Sequence, residues 1–247
     1  KNLIKVGSGT QVLSGANTYS GVTQVNAGTL FLSGAGRLPS GGDLIVNGGL
    51  LDLNSFSHSM GKLTGTGGSI QLGSGTLTLN QASNGTYAGN IRGTGGLVKN
   101  GTGSLTFTNW SDYTGTTTIN AGSLYLNRFD SSSGAGTLNT SRVIVNNGGI
   151  LDWGVANSFG YLANSGIEAI TVNEGGQVGR ADNSLQQHMW NNFTVEMTGG
   201  RFYVGSNTQV MGLTFTIKAP ATPGATSEVL RGGSGDLRLR NDGPSIT

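Results

Sequence analysis

The sequence predicts an all-β fold, a right-handed parallel β-helix (a solenoid) of about ten coils. Three observations carry this expectation. Glycine is abundant while charge is scarce, a long segment of the chain is repeated within it, and short alternating strands recur behind glycine turns.

The chain has 247 residues and 45 glycines, well above the usual share of roughly 7%. Four prolines and no Gly-X-Y period exclude collagen. Charged residues make up 11%, against a typical figure of about 25%. A disordered chain combines high charge with little apolar matter, whereas 35% of this one is hydrophobic and 7% aromatic. Helices are disfavoured, since interior glycine costs about 1 kcal/mol relative to alanine. Short strands joined by tight turns remain.

The 14 Lys and Arg leave a net charge of +2 and form no runs. No nucleic-acid groove or anionic-membrane patch is expected, and these cations read as solvated edge and turn positions. There is no cysteine, hence no disulfide, thiolate metal site or cysteine nucleophile. A cysteine-free chain also suits passage through an oxidising periplasm. Residues 1–10 lack the apolar core of a signal peptide, and no run approaches membrane-spanning length. With a first residue other than Met, the chain reads as a fragment of something longer.

Residues 9–32, GTQVLSGANTYSGVTQVNAGTLFL, return as residues 103–126, GSLTFTNWSDYTGTTTINAGSLYL, at a constant shift of 94 without a gap. Gly9, Tyr19, Gly21, Thr23, Asn26, Ala27, Gly28, Leu30 and Leu32 are identical in the second copy. Further on, residues 47–52 (NGGLLD) return as 147–152 (NGGILD), now shifted by 100. The expected organisation is one β-helical segment over 1–247, with repeat units at about 1–94 and 95–190. Further coils with a proline-containing loop follow over 191–247.

Beneath this repeat lie alternating pairs such as Leu30/Leu32, Leu51/Leu53, Ile70/Leu72, Leu77/Leu79, Leu105/Phe107, Leu124/Leu126, Val143/Val145, Phe202/Val204 and Leu237/Leu239. Alternation of this kind marks a strand buried on one face. Recurrence every 20–27 residues or so suits stacked coils, about 4.8 Å apart, in a rod of about 50 Å. Asn26-Ala-Gly28, Asn47-Gly-Gly49, Asn120-Ala-Gly122 and Asn147-Gly-Gly149 are the expected corners, where positive φ favours glycine.

Residues 9–32 and 103–126 resemble the passenger-associated transport repeat, also called the autotransporter-associated β-strand repeat. Asn17-Thr-Tyr-Ser-Gly21 and Asn26-Ala-Gly-Thr-Leu30 match that pattern, Ser111-Asp-Tyr-Thr-Gly115 departs at its centre, and a weaker copy begins at Asn84-Gly-Thr-Tyr-Ala-Gly89. The resemblance implies an autotransporter passenger domain, extracellular or on the cell surface of a Gram-negative bacterium, with repeats that assist export and vectorial folding. It also implies a C-terminal membrane barrel. Residues 231–247 lack the alternating strands of one, so any membrane attachment is expected through a barrel outside this fragment.

Catalytic signals are weak. His58 and His188 stand far apart, no GDSG-type serine is present, and acids are too few and scattered for an evident carboxylate pair. Asp52 and Asp152 occupy equivalent places and read as a recurring turn or ladder site. Gly232-Gly-Ser-Gly-Asp236 has the wrong spacing for the calcium nonapeptide. No enzyme activity, cofactor or metal is expected. Phe31, Trp110, Tyr113, Tyr125, Trp153 and Trp190 could form a binding strip, with packing along the rod the more ordinary account, and Tyr19, Tyr87 and Tyr113 suggest stacking between coils.

Residues 181–192 and 218–228 break the coil rhythm, and excursions from a rigid scaffold often bind. Gln186, Gln187, His188, Met189 and Trp190 are the candidate interaction loop. The expected function is a structural stalk or adhesin whose partner is a host or matrix surface ligand, or another copy of itself. A β-helical carbohydrate-active enzyme and a mechanical spacer for another domain are the alternatives.

Overall fold

In a computed structural model the chain is described over residues 1–128, 137–154, 167–179, 188–189, 194–204, 209–210, 214–218, 222 and 225–231. The described elements are all strands, and each recorded strand pairing is parallel. The chain turns through three faces in a fixed order, and each strand pairs with the strand on the same face one coil later.

The first face starts with Leu3–Lys5, Thr23–Val25, Leu44–Val46 and Leu63–Thr64. A single bridge between Gly65 and Tyr87 carries it on to Gly85–Tyr87, Leu105–Phe107, Gly122–Leu126, Gly149–Trp153, Gln177–Val178, Gly200–Val204 and Ser227–Arg231. The second face holds Thr10–Leu13, Thr29–Leu32, Leu50–Asp52, Ser69–Gln71, Asn90–Gly93 and Asp112–Tyr113, followed by a bridge from Ser111 to Leu138. The third runs from His58–Met60 through Leu77–Asn80, Leu97–Asn100, Thr117–Ile119, Arg142–Val145, Ala169–Val172 and Thr194–Met197 to Thr214–Ile217. This is a parallel β-helix.

The inward stripes follow the alternation of the sequence. Leu30, Leu32, Leu51, Ile70, Leu72, Leu77, Leu79, Leu105, Leu124, Leu126, Val143, Val145 and Phe202 have no solvent exposure. Their registers place like on like: Leu30 on Leu51, Leu51 on Ile70, Leu105 on Leu124 and Leu124 on Leu151. Phe31 and Tyr125 alternate with buried leucines and are partly exposed, as expected of outward positions. On the rung nearest the N-terminus, Leu3, Gln11 and Leu13 keep partial or full exposure. Their counterparts in the second copy, Leu97, Leu105 and Phe107, are sealed by another rung.

Glycine sits at the corners because the chain there both reverses its twist and touches the coil below. Gly122 has φ +62°, and a Cβ on it would lie 2.6 Å from the Gly103 carbonyl oxygen. Only glycine satisfies both demands.

The two copies of the repeat do not lie above one another. The first opens on the first face with Leu3–Lys5, whereas the second opens on the third face with Leu97–Asn100. Coils here take about 20 residues, as in the step from Leu77 to Leu97. A shift of 94 therefore spans about four and two-thirds coils, and equivalent residues face different directions.

The inward and outward positions should differ sharply in their tolerance. Leu124→Ala is expected to cost about 2–5 kcal/mol in urea unfolding. Thr106→Ala, on the outward side of the adjacent rung, should stay within about 0.5 kcal/mol.

Candidate interaction surface

Of the five residues expected to form an interaction loop, Gln186, Gln187 and Trp190 lie outside the described residues. His188–Met189 is a strand rather than a loop, paired in parallel with Gln209–Val210. In chain order this small sheet takes the turn that the second face takes in the earlier coils. Residues 232–247, with the Gly-Gly-Ser-Gly-Asp segment, also lie outside the described residues.

Among the described residues the aromatic side chains do not converge on a strip. Tyr113 is fully buried and Trp153 is 5% exposed, while Trp110 is 41% exposed. Tyr113 turns inward because its hydroxyl has a partner there, sharing a 2.7 Å hydrogen bond with the Thr117 hydroxyl. Tyr19 does the same with Thr23 at 2.7 Å in the first copy. In the weaker copy Ile91 stands where that threonine would be. There the Tyr87 hydroxyl turns to the Asn90 and Gly68 carbonyls, and the ring meets Phe107 edge-on at 6.4 Å. Burial pushes the Tyr87 and Tyr113 hydroxyls far up, so both stay protonated in any physiological medium.

The acid–base candidates are tied into the scaffold. His58 is 6% exposed; its Nε2 accepts the Leu38 amide at 3.2 Å, and its Nδ1 faces the Phe56 carbonyl at 3.0 Å. Those partners require a proton on Nδ1 and neutral imidazole. Burial lowers its pKa, the Phe56 carbonyl pulls the other way, and the Arg37 charge lowers it further. Asp52 and Asp152 each accept a nearby backbone amide, from Asn54 and Trp153 respectively, both at 2.8 Å. The two aspartates hold equivalent ladder places, Asp52 beside Phe31 and Asp152 beside Tyr125, but only Asp52 caps a turn, since Asp152 bonds within its own strand. Among the described residues, no group of three or more His, Asp or Glu could hold a metal ion.

One groove opens on the first face where the strand run passes from Leu63–Thr64 to Gly85–Tyr87. Its volume is about 670 Å³, lined by Asn47, Thr64, Thr66, Asn84, Thr86, Ser104 and Thr106 together with Gly65, Gly85 and Ala88. The lining carries hydroxyls and amides but no charge. The break in the sheet that creates it lies at Gly65, where φ is +156° and a Cβ would collide with the Val46 carbonyl.

Two lysines depart from the solvated positions expected of them. Lys5 is 8% exposed and Lys99 is completely buried, each in an inward slot of its strand. The Lys99 ammonium donates to the carbonyls of Asn100 (3.1 Å), Gly101 (2.8 Å) and Ala121 (2.9 Å). Lys5 reaches Val6 (2.8 Å), Gly7 (2.7 Å) and Ala27 (3.1 Å), the same three places one copy earlier. Residues 5–9 (KVGSG) and 99–103 (KNGTG) carry the signal at the same shift of 94, just ahead of the aligned window. Burial lowers the Lys99 pKa to about 8.

Outside these lysines runs an asparagine ladder. Asn100 donates to Asn80, Asn120 to Asn100, Asn146 to Asn120 and Asn173 to Asn146, at 3.2, 2.8, 2.7 and 2.6 Å. Thr198 ends it on Asn173 at 2.9 Å. A shorter ladder joins Asn47 to Asn26 at 3.0 Å.

Comparison with known proteins adds two matches. The passenger-associated-transport-repeat model matches residues 3–31, 70–94 and 97–126, so the chain carries three copies or part-copies of this repeat. Over 129 residues, 51% of the chain, it is 46% identical to the protein named adhesin BmaC autotransporter of Brucella suis biovar 1 (strain 1330). The chain spans 4% of that relative's length. No solved structure matches it significantly.

Lys99 gives a pH signature. Its ammonium loses the proton near pH 8 in the folded chain, but near 10.4 when unfolded. Between those values the unfolded state binds more protons, so stability contributed by this group rises with pH. Urea unfolding at pH 7.5, 9 and 10 should show this rise in the native chain and its loss in Lys99→Met.

Proposed function

We propose that the chain is a segment of an autotransporter passenger, displayed at or released from the surface of a Gram-negative bacterium, where it acts as a stalk and adhesin without catalytic activity. The observation that carries this reading is the transport repeat built into a continuous β-helix, together with the 46% identity to an autotransporter adhesin. In this reading residues 1–247 form one β-helical segment, its repeat units at about 1–94 and 95–190. Any membrane attachment is made through a barrel elsewhere in the polypeptide.

Physical chemistry supports the division of labour. Each rung is sealed by its neighbours, so order can spread from coil to coil as segments emerge from a membrane pore. A folded coil is too wide to slide back, which lets the repeats assist export and folding at once. The proposed partner is a surface or matrix ligand, or a second copy of the chain. Contacts are assigned to the segment at Gln186, Gln187, His188, Met189 and Trp190, and to the groove of hydroxyls and amides beside Thr86. That groove suits a neutral, polyhydroxylated or polar extended ligand, because it offers many donors and acceptors and no counter-charge.

Beads coated with the purified chain should bind matrix-coated or cell surfaces or aggregate with one another, and should release no product from acidic polysaccharides. Thr86→Arg, filling the groove, or paired alanines at His188 and Met189 should reduce binding while leaving the β-rich circular dichroism unchanged. Inert beads would leave a spacer, and polysaccharide cleavage would point to an enzyme.

A further inference from the structure

The aliphatic stripes alone do not fix how one coil sits on the next. Side chains alternate with a period of two, so a slip of one residue turns every inward group outward, but a slip of two restores the pattern. On the third face Leu97 and Lys99 stand over Thr117 and Ile119, and Val98 over Thr118. Moved along by two residues, the strand would still present an alternating, half-apolar edge.

We propose that Lys99, and Lys5 at the equivalent place in the first copy, are register pins, each buried ammonium accepting only one alignment of the coil that follows. The contacts themselves make the case. Two of the three acceptors of Lys99 belong to its own corner, the carbonyls of Asn100 and Gly101, whereas the third is the carbonyl of Ala121, 22 residues ahead. Lys5 repeats the arrangement with Val6 and Gly7 nearby and Ala27 22 residues ahead. A two-residue slip moves that third carbonyl by about 6.6 Å, beyond hydrogen-bonding reach.

The ammonium then lies buried with an unmet donor, which is costly. In the native alignment the same group is fully engaged. The lysine therefore acts chiefly by penalising wrong alignments, as buried polar groups do when they set register in coiled coils. The Asn-Ala-Gly turns gain a second meaning from this. Their alanine carbonyl is the keyhole, and the glycine after it lets the backbone come close enough to present it. The pin engages only after the next turn has formed, so it checks the two copies that carry a lysine as each is completed, whereas the weaker copy has Gly73 at that place. It bears on the vectorial-folding part of the proposed function, but it is testable on purified protein, apart from export and ligand binding.

The chain lacks cysteine, which makes thiol reporters clean. Val98→Cys with Thr118→Cys marks the native alignment. Val98→Cys with Thr116→Cys marks a two-residue slip. Each pair is refolded from urea, with and without Lys99→Met, and treated with dibromobimane, which bridges only adjacent thiols. With Lys99 present, the 98–118 pair should crosslink and the 98–116 pair should not. With Lys99→Met, the refolded chain should keep its β-rich spectrum, lose about threefold or more of the 98–118 product and gain the 98–116 product. An undiminished 98–118 yield in Lys99→Met overturns the proposal. So does a Lys99→Met chain that fails to refold at all, since the lysine would then sustain the fold rather than select its alignment.

Discussion

Everything in this molecule depends on each rung being covered by another. A single coil has one apolar stripe per face and nothing of its own to bury it against. The parallel backbone pairing and the burial of Leu30, Leu51 and Ile70 on top of one another are two aspects of one contact. The first rung of this segment shows the converse, since Leu3, Gln11 and Leu13 remain accessible in positions that are sealed one repeat later. Stability in such an architecture is a sum over neighbouring pairs, with no centre to which distant segments must return.

Burial of this kind is strong but undiscriminating, and the polar groups inside and along the corners supply what it lacks. The Asn80–Asn173 ladder spaces successive corners by amide-to-amide hydrogen bonds. The Tyr–Thr pairs tie each tyrosine to the strand that follows it. The lysines tie a corner to the next coil. The lysines, Thr23 and Thr117 occupy inward slots that an aliphatic residue could fill, as Ile91 does in the weaker copy, so their presence reflects specificity more than cohesion.

The fold was legible in the sequence because its two periods are simple. Alternation gave the inward residues of nearly every rung, and self-comparison gave the corners at Asn26-Ala-Gly28 and Asn120-Ala-Gly122. Three things were hidden. A lone lysine reads as solvated, and only the fold shows that the strand ends of Lys5 and Lys99 point inward. Asn147 aligns with Asn47 in sequence, yet Asn146 takes the ladder place, because the second copy has one more residue at that corner. The third is orientation: a shift of 94 residues says nothing about direction until the length of a coil is known. The interaction surface was less legible. Tyr113 and Trp153 lie inside, in keeping with packing along the rod rather than with a binding strip, and the groove beside Thr86 arises from a break in strand pairing that no local sequence pattern announces.

The offset between the two copies, two-thirds of a turn beyond whole coils, has a geometrical consequence. Had the repeat closed on an integral number of turns, like groups would line up along one side, giving a flat tape with a front and a back. Instead the outward side of the motif is carried around the axis like the thread of a screw. Such a rod turns the outward sides of its two copies to two different azimuths, so neither side of the rod is the sole front.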